Sequence, residues 1–321
     1  GDWSSDVCSS DLGEREERLV IVPEECAGER VDTVLAKLLE LSRSVVADLL
    51  NAGDVTQGKK PLSKSDRVHV GDRIKVKLPA PFDPLNLAHA PIADIEIVYQ
   101  DDDLVVVNKP VGVAAHPSPG WLGPTVLGGL LAKGISISTS GAQERQGIVQ
   151  RLDVGTSGLM LVTKNENSYS AMKDQFRNRE VTKVYHALVQ GHMDPAEGTI
   201  DAPIGRHPRE DYRFAVVADG KPSITHYMLI EYFAGATLLR IELETGRTHQ
   251  IRVHFNALRH PLVGDLAYGG DPVLAQRLEL MRPWLHAIEL SFKQPSSGAI
   301  LTFTAPYPSD LQRCLTILSE P

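Results

Sequence analysis

Apolar positions fall at helical spacing in two short stretches near the N-terminus and at strand spacing through most of the chain after that. Residues 30–39 place Val31, Val34, Leu35 and Leu38 on one helical stripe, and this spacing predicts an amphipathic helix. A second helix is predicted over 41–53, with a serine cap and Gly53 as its stop. Short strands follow around Val55 and within 67–78. Residues 79–91 are rich in proline and lack any period, which predicts a stiff, extended linker and a domain boundary over 81–91. Beyond it, the β-branched runs 95–99 and 104–108 flank Gln100-Asp101-Asp102-Asp103, a β-hairpin pattern. Lys109-Pro110-Val111-Gly112 ends the second strand, because proline cannot continue the ladder. Residues 116–147 are rich in Gly and Ser and read as a loop with one helix near 125–132. Then Leu159-Met160-Leu161-Val162 reads as a buried strand. A surface helix is predicted over 165–179, where Met172 and Phe176 lie at i, i+4. Residues 181–189 alternate well enough for a strand with Lys183, Tyr185 and Ala187 on one face. The run 238–243 is a further strand, feeding through Thr245-Gly246 into a helix that begins near Thr248.

Length and composition fit this layout. A chain of 321 residues suggests two domains, 18–80 and 92–321, each with material for a core. No apolar run reaches a membrane span and no secretory leader opens the chain, so it reads as a cytoplasmic protein with no membrane contact. Cys8, Cys26 and Cys314 are far apart, against a zinc ribbon or a disulfide framework. Residues 1–12, with Asp2-Trp3-Ser4-Ser5-Asp6-Val7-Cys8, resemble a translated sequencing adapter and carry no fold information. Net charge is -8, which for the whole chain points away from nucleic acid. Locally the balance reverses. Between Lys59 and Lys77 there are seven basic residues against Asp66 and Asp72, either a solvated charged face or an RNA-contacting patch.

Three segments carry candidate chemistry. In Gly147-Ile148-Val149-Gln150-Arg151-Leu152-Asp153-Val154-Gly155-Thr156-Ser157-Gly158, Asp153 is either a turn residue bonding its own backbone or a carboxylate presented where turn meets strand. Tyr185 is either a packed sheet tyrosine or a residue of the same site. In Glu244-Thr245-Gly246-Arg247-Thr248-His249-Gln250-Ile251-Arg252-Val253-His254, a basic residue just ahead of a helix start is a natural partner for a carboxylate or phosphate. His249 and His254 are five apart, on different helical faces with no third ligand, so no metal site is expected.

Together these motifs, with Asn108-Lys109-Pro110 and Val263-Gly264-Asp265, resemble the RluA-type pseudouridine synthase family over residues 92 to about 306. Residues 30–74, through Leu41-Ser42-Arg43-Ser44, Asn51-Ala52-Gly53 and Val70-Gly71-Asp72-Arg73-Ile74, resemble the small S4-like (alpha-L) RNA-binding domain. Such a domain in front is the arrangement of the RluD-like branch, which acts on large-subunit ribosomal RNA. Two features depart from the family pattern: Gln150 stands where His is common, and Val154-Gly155 replaces a charged pair. In the S4-like part, Thr56-Gln57-Gly58-Lys59 lacks the usual Asn before Gly, so a looser turn is expected there.

The resemblance implies an α+β chain: an S4-like domain followed by a catalytic domain on a mixed, largely antiparallel sheet. It implies isomerisation of uridine to its carbon-linked form in RNA, without cofactor or metal. Asp153 would be the nucleophile, Arg247 the cation keeping it ionised, and Tyr185 the ring stacked on uracil. Arg151, Ile251, Lys109, Thr156 and His249 would contact substrate, with Arg151 filling the space of the extruded base or holding the backbone. Arg43, Lys59, Lys60 and Arg67 would hold RNA phosphates. A monomer is expected. Two other readings fit parts of the pattern, a carboxylate glycosidase with a second acid and a non-catalytic RNA-binding or ribosome-assembly protein.

Overall fold

The computed structural model describes residues 17–39, 43–78, 93–118, 121, 123–141, 146–210 and 213–320. The segment 1–12, the linker 81–91 and the serine cap expected at Ser42 lie outside them. The chain forms two compact units, Gly1–Asn86 and Leu87–Pro321.

In the first unit, β1 (Glu17–Ile21), α1 (Val31–Leu38), α2 (Arg43–Asn51), β2 (Val55–Gln57), β3 (Lys60–Pro61) and β4 (Arg73–Lys77) follow in order. The four strands make one antiparallel sheet, β1-β4-β2-β3. Val31, Val34 and Leu35 of α1 meet Val46, Leu49 and Leu50 of α2 over Val55, Ile74 and Val76. Alternation along β4 buries Ile74 and Val76 and turns Arg73, Lys75 and Lys77 to solvent, so these three cations share one face. The turn after β2 is tight and not loose as expected. Gln57 pairs with Lys60, leaving a two-residue connection in which Gly58 takes φ +62°, the positive value such hairpins need.

The second unit holds β5 (Glu96–Gln100), β6 (Leu104–Lys109), α3 (Val126–Ala132), β7 (Ser157–Thr163), α4 (Glu166–Arg177), β8 (Thr182–Gln190), β9 (Glu197–Asp201), β10 (Ile204–Arg206), β11 (Phe214–Val216), β12 (Ile224–Phe233), β13 (Ala236–Leu243), α5 (Gln250–Ala257), α6 (Pro272–Arg277), β14 (Leu285–Lys293), β15 (Ile300–Thr304) and α7 (Ser309–Ser319). Its main sheet runs β5-β6-β7-β14-β8-β13-β12-β9, with β15 also on β14. The β7–β14 contact is parallel and only two register pairs long, and the sheet's other pairings are antiparallel. The fold is α+β with a mixed, mostly antiparallel sheet.

The centre of the sheet is covered on both faces. Val105, Val107, Met160 and Val162 join one core cluster, and their alternates Leu104, Val106, Leu159 and Leu161 join another. This explains why β7 reads as an unbroken apolar run. Side-chain caps start three of the described helices: Thr125 accepts from Gly128 N–H ahead of α3, Asn165 forms a capping box with Ser168 ahead of α4, and Asp271 accepts from Val273 N–H ahead of α6. Among the described residues no helix is long and apolar enough to cross a membrane.

Candidate active site

The turn before β7, strand β8 and the start of α5 converge on a cleft of about 1300 Å3. Sheet register brings them together: Gly158 pairs with Ala287, and Ala287 with Tyr185. The Asp153 turn and Tyr185 therefore stand two strands apart, about 10 Å at the usual spacing.

Asp153 does its turn work through the main chain. Its carbonyl accepts Thr156 N–H at 3.0 Å, and Val154 carbonyl accepts Gly112 N–H at 2.9 Å. The carboxylate is left for the cleft, where the side chain is 28% exposed. Oδ2 lies 3.4 Å from Arg252 Nη1 and 3.8 Å from His249 Nε2. The first is a weak charge-assisted bond and the second is beyond hydrogen-bonding range.

Arg252 is held from behind by Asp265, which accepts from Nε at 2.7 Å and Nη2 at 2.9 Å. The Arg252 guanidinium also lies 4.7 Å from the centre of the Tyr268 ring. Burial works against its charge, but the bonds to Asp265 and the charges of Asp265 and Asp153 outweigh that and raise its pKa. Arg252 is thus a fixed cation with one nitrogen to spare.

His249 takes the left-handed conformation, φ 56°, at the position just before α5. Its Nδ1 meets the Tyr268 hydroxyl at 2.7 Å, and that hydroxyl also accepts Phe214 N–H at 3.0 Å. Burial lowers the imidazole pKa despite the nearby Asp153 carboxylate, so the ring is neutral near pH 7. With the Tyr268 proton directed to Nδ1, the neutral ring carries its own proton on Nε2, facing Asp153.

Three expectations need correction. Arg247 is not the partner of Asp153: it is exposed, its Nε donates to Pro222 carbonyl at 3.2 Å, and its N–H goes to Gln250 Oε1 at 3.0 Å. The helix begins at Gln250 and not at Thr248, because Gln250 Oε1 also accepts the Thr245 hydroxyl and so closes the preceding turn. Arg252 then stands in the first turn of α5, three residues after the His249 cap, and that spacing is the signal that could have identified it. Lys109 does not reach the cleft. It is fully buried, with Nζ donating to Pro110 and Val113 carbonyls at 3.0 and 2.7 Å. Burial drops its pKa to about 7.

Apart from Lys109, the residues expected at the site line the cleft, Arg247 among them. Tyr185 is buried, and burial, reinforced by the Asp153 charge, raises its hydroxyl pKa. Ile251 and Thr156 are buried in the wall, and Arg151 reaches Thr248 Oγ1 at 3.5 Å across the rim. Gln150 Nε2 is buried there with no hydrogen-bond partner. Lys183, two residues before Tyr185 on the same strand face, also lines the cleft, and burial lowers its pKa to about 8. His254 is turned away, bonded to Thr225 Oγ1 and Ala202 carbonyl, each at 2.9 Å. The expected phosphate-binding residues belong to the first unit. Lys59 and Lys60 are exposed at the hairpin, Arg67 donates to Gly28 carbonyl, and Arg43 opens α2.

Residues 103–257 match the family model described as RNA pseudouridylate synthase. The chain is 54% identical to an uncharacterized RNA pseudouridine synthase of Mycobacterium bovis, over 94% of this chain and 98% of that protein. It is 40% identical to a ribosomal large subunit pseudouridine synthase D of Neisseria meningitidis, over 99% and 86%. Among solved structures it resembles human RNA pseudouridylate synthase domain containing 1, with 29% identity and a TM-score of 0.57, over 70% of this chain and 89% of that one.

Proposed function

The chain belongs to the RNA pseudouridylate synthase family, and on that premise we propose that it isomerises uridines of large-subunit ribosomal RNA with Asp153 as nucleophile. As an RNA pseudouridine synthase it is an isomerase. Substrate and product have the same atoms: the N1–C1′ bond breaks, a C5–C1′ bond forms, C5 loses a proton and N1 gains one. No external group has to be added, so this reading needs no cofactor.

The observation that carries the proposal is the asymmetry of the Asp153 carboxylate. Oδ2 faces Arg252 and His249, and no bond among the described residues engages Oδ1. With Oδ2 held on that side, the other oxygen can attack the sugar or base. Asp265 makes this arrangement rigid, since Arg252 cannot swing away without leaving a buried carboxylate unpaired.

Tyr185 supports the reading as a neutral ring against the detached uracil. Its raised pKa argues against a standing phenolate, so its hydroxyl can only hand on a proton that it receives. Ile251 and Thr156 exclude water from a base that must be turned and not lost. The uridine must first leave its stack, at a cost of a few kcal/mol, and Arg151, exposed at the rim, would fill the space it vacates or hold the backbone. Contacts of Lys59, Lys60 and Arg67 with phosphates would add affinity at a second point. The name of the Neisseria relative supports large-subunit RNA as the substrate class.

The test incubates purified protein and an Asp153→Ala variant with an unmodified large-subunit ribosomal RNA transcript, and with subunits from a strain lacking the enzyme. Pseudouridine is then mapped at nucleotide resolution. Sites made by the wild type and not by the variant are expected. RNA binding without isomer on either substrate would overturn the catalytic reading and leave a binding or assembly role.

A further inference from the structure

The Asp153 turn is held from behind by a buried polar chain that reaches the C-terminal helix. Arg282 is 6% exposed and uses all three guanidinium nitrogens. Nε and Nη2 fork onto Asp310, in the first turn of α7, at 2.6 and 2.9 Å. Nη1 points the other way, to Gly155 carbonyl at 3.3 Å and Ser157 Oγ at 3.2 Å. Ser157 Oγ in turn meets His286 Nδ1 at 2.9 Å, and His286 Nε2 lies 3.3 Å from Ala305 carbonyl. Gly155 and Ser157 are the second and fourth residues after Asp153.

The sheet supplies only part of this anchorage. β7 joins β14 through two parallel register pairs, Ser157–His286 and Gly158–Ala287, its ladder with β6 ends at Gly158–Lys109, and the turn lies beyond both, where Gly112 N–H reaches Val154 carbonyl. Its backbone packs directly on the segment that carries Arg282: a methyl group on Gly155 would stand 3.3 Å from Pro283 Cδ. The neighbouring Trp284 is pinned to α7 as well, through Nε1–H to Leu311 carbonyl at 3.1 Å.

We propose that Arg282, oriented by Asp310, is a positioning residue for the isomerisation, fixing the turn through Gly155 and Ser157 so that the Asp153 carboxylate meets its target atom. Arg282 does not line the cleft. Misplacing a reacting group by about 1 Å costs on the order of 10²-fold in rate. The effect therefore belongs in the chemical step and not in RNA affinity.

The inference rests on the isomerase reading, and its test separates the two. Arg282→Gln, Asp310→Asn and Ser157→Ala are assayed beside the wild type and Asp153→Ala on the unmodified large-subunit RNA transcript, under single turnover, with RNA affinity measured separately. We expect Arg282→Gln to slow isomerisation by about 10- to 100-fold with RNA affinity within twofold of wild type. Asp310→Asn keeps one acceptor for Arg282 and should fall less. The double variant should be no slower than Arg282→Gln, because both act through one chain of contacts. If the variants melt earlier but the folded protein isomerises at the wild-type rate, the residues are only structural and the inference is overturned. If Arg282→Gln does not fold, Asp310→Asn and Ser157→Ala decide by the same rate and affinity readouts. A wild type that makes no pseudouridine would instead defeat the function reading.

Discussion

Exchanging the two arginines of the α5 segment, one at a time, for glutamine separates the cation that faces Asp153 from the one that does not. Arg252 and Asp265 are 12% and 1% exposed, so Arg252→Gln strands a carboxylate in the interior. Breaking such a pair costs about 3–5 kcal/mol. At about 2–4 °C per kcal/mol for a domain of this size, the catalytic unit should melt about 6–20 °C lower. Arg247 is exposed, and its side chain donates one bond to a carbonyl. Its loss should cost about 1 kcal/mol and under about 4 °C. Activity should split the same way. Without Arg252 nothing fixed holds Oδ2, and losing one preorganised donor of this kind typically costs about 10²–10³ in rate. Arg247→Gln should weaken RNA binding with little effect on the bound-state rate. Differential scanning calorimetry and single-turnover isomerisation on the RNA transcript read both quantities. An Arg252→Gln protein that melts within 2 °C of wild type and keeps its rate would refute this assignment.

Other perturbations test other parts of the structure. Burial drops the His286 pKa to about 4 from 6.5, so between those values the unfolded chain takes up a proton that the folded one refuses. The stability involved is complete above pH 6.5 and is lost as pH falls toward 4, by up to about 3 kcal/mol. Denaturation midpoints at pH 7 and 4.5 should therefore differ more for wild type than for His286→Gln, and equal losses would contradict the buried neutral histidine. Gly158 has φ +113°, and an added Cβ would sit 2.2 Å from Ala287 carbonyl. We expect Gly158→Ala to cost about 3 kcal/mol or more, visible as a lower circular-dichroism melting point, and an unchanged melt would rule out the close approach. Lys183 loses its charge as pH rises through about 8. RNA affinity should weaken from pH 7 to 9 in the wild type and less in Lys183→Arg. For Lys183→Met the salt slope should shrink by about 0.7–0.9, and filter binding checks both.

What could be read in the sequence was local. The α4 helix was legible because Met172 and Phe176 stand at i, i+4, and α3 as the one helix expected within the Gly- and Ser-rich stretch 116–147. β7 was legible because a strand covered on both faces needs no alternation. β1 was not, since two of its apolar residues, Leu19 and Ile21, remain exposed and the strand pairs only with the distant β4. β12 breaks its own pattern with a bulge between Leu229 and Glu231, so no period marked it. At the site, Asp153 and Tyr185 could be singled out from their turn and strand, while His249, Ile251, Thr156 and Arg151 came with the family resemblance, and the fold brings all six to one cleft. The choice of Arg247 over Arg252 turned on where α5 starts, and the Gln250 side chain that sets this bonds in three dimensions. Lys109 was expected at the substrate only through the family resemblance, whereas the Pro110 and Val113 carbonyls hold it inside. The Asp310–Arg282–Ser157 chain joins residues 28 and 125 positions apart, and contacts of that range leave no mark on neighbouring sequence.

Release of tritium from RNA labelled at uridine C5 tests the central chemistry most directly, because C5 must give up its hydrogen when it bonds to C1′. With a large-subunit RNA transcript under single turnover, the wild type should release tritium in proportion to the pseudouridine formed. Asp153→Asn, nearly the same shape without the charge, should bind the RNA and release none above background. Release by Asp153→Asn at the wild-type rate would contradict the role assigned to that carboxylate.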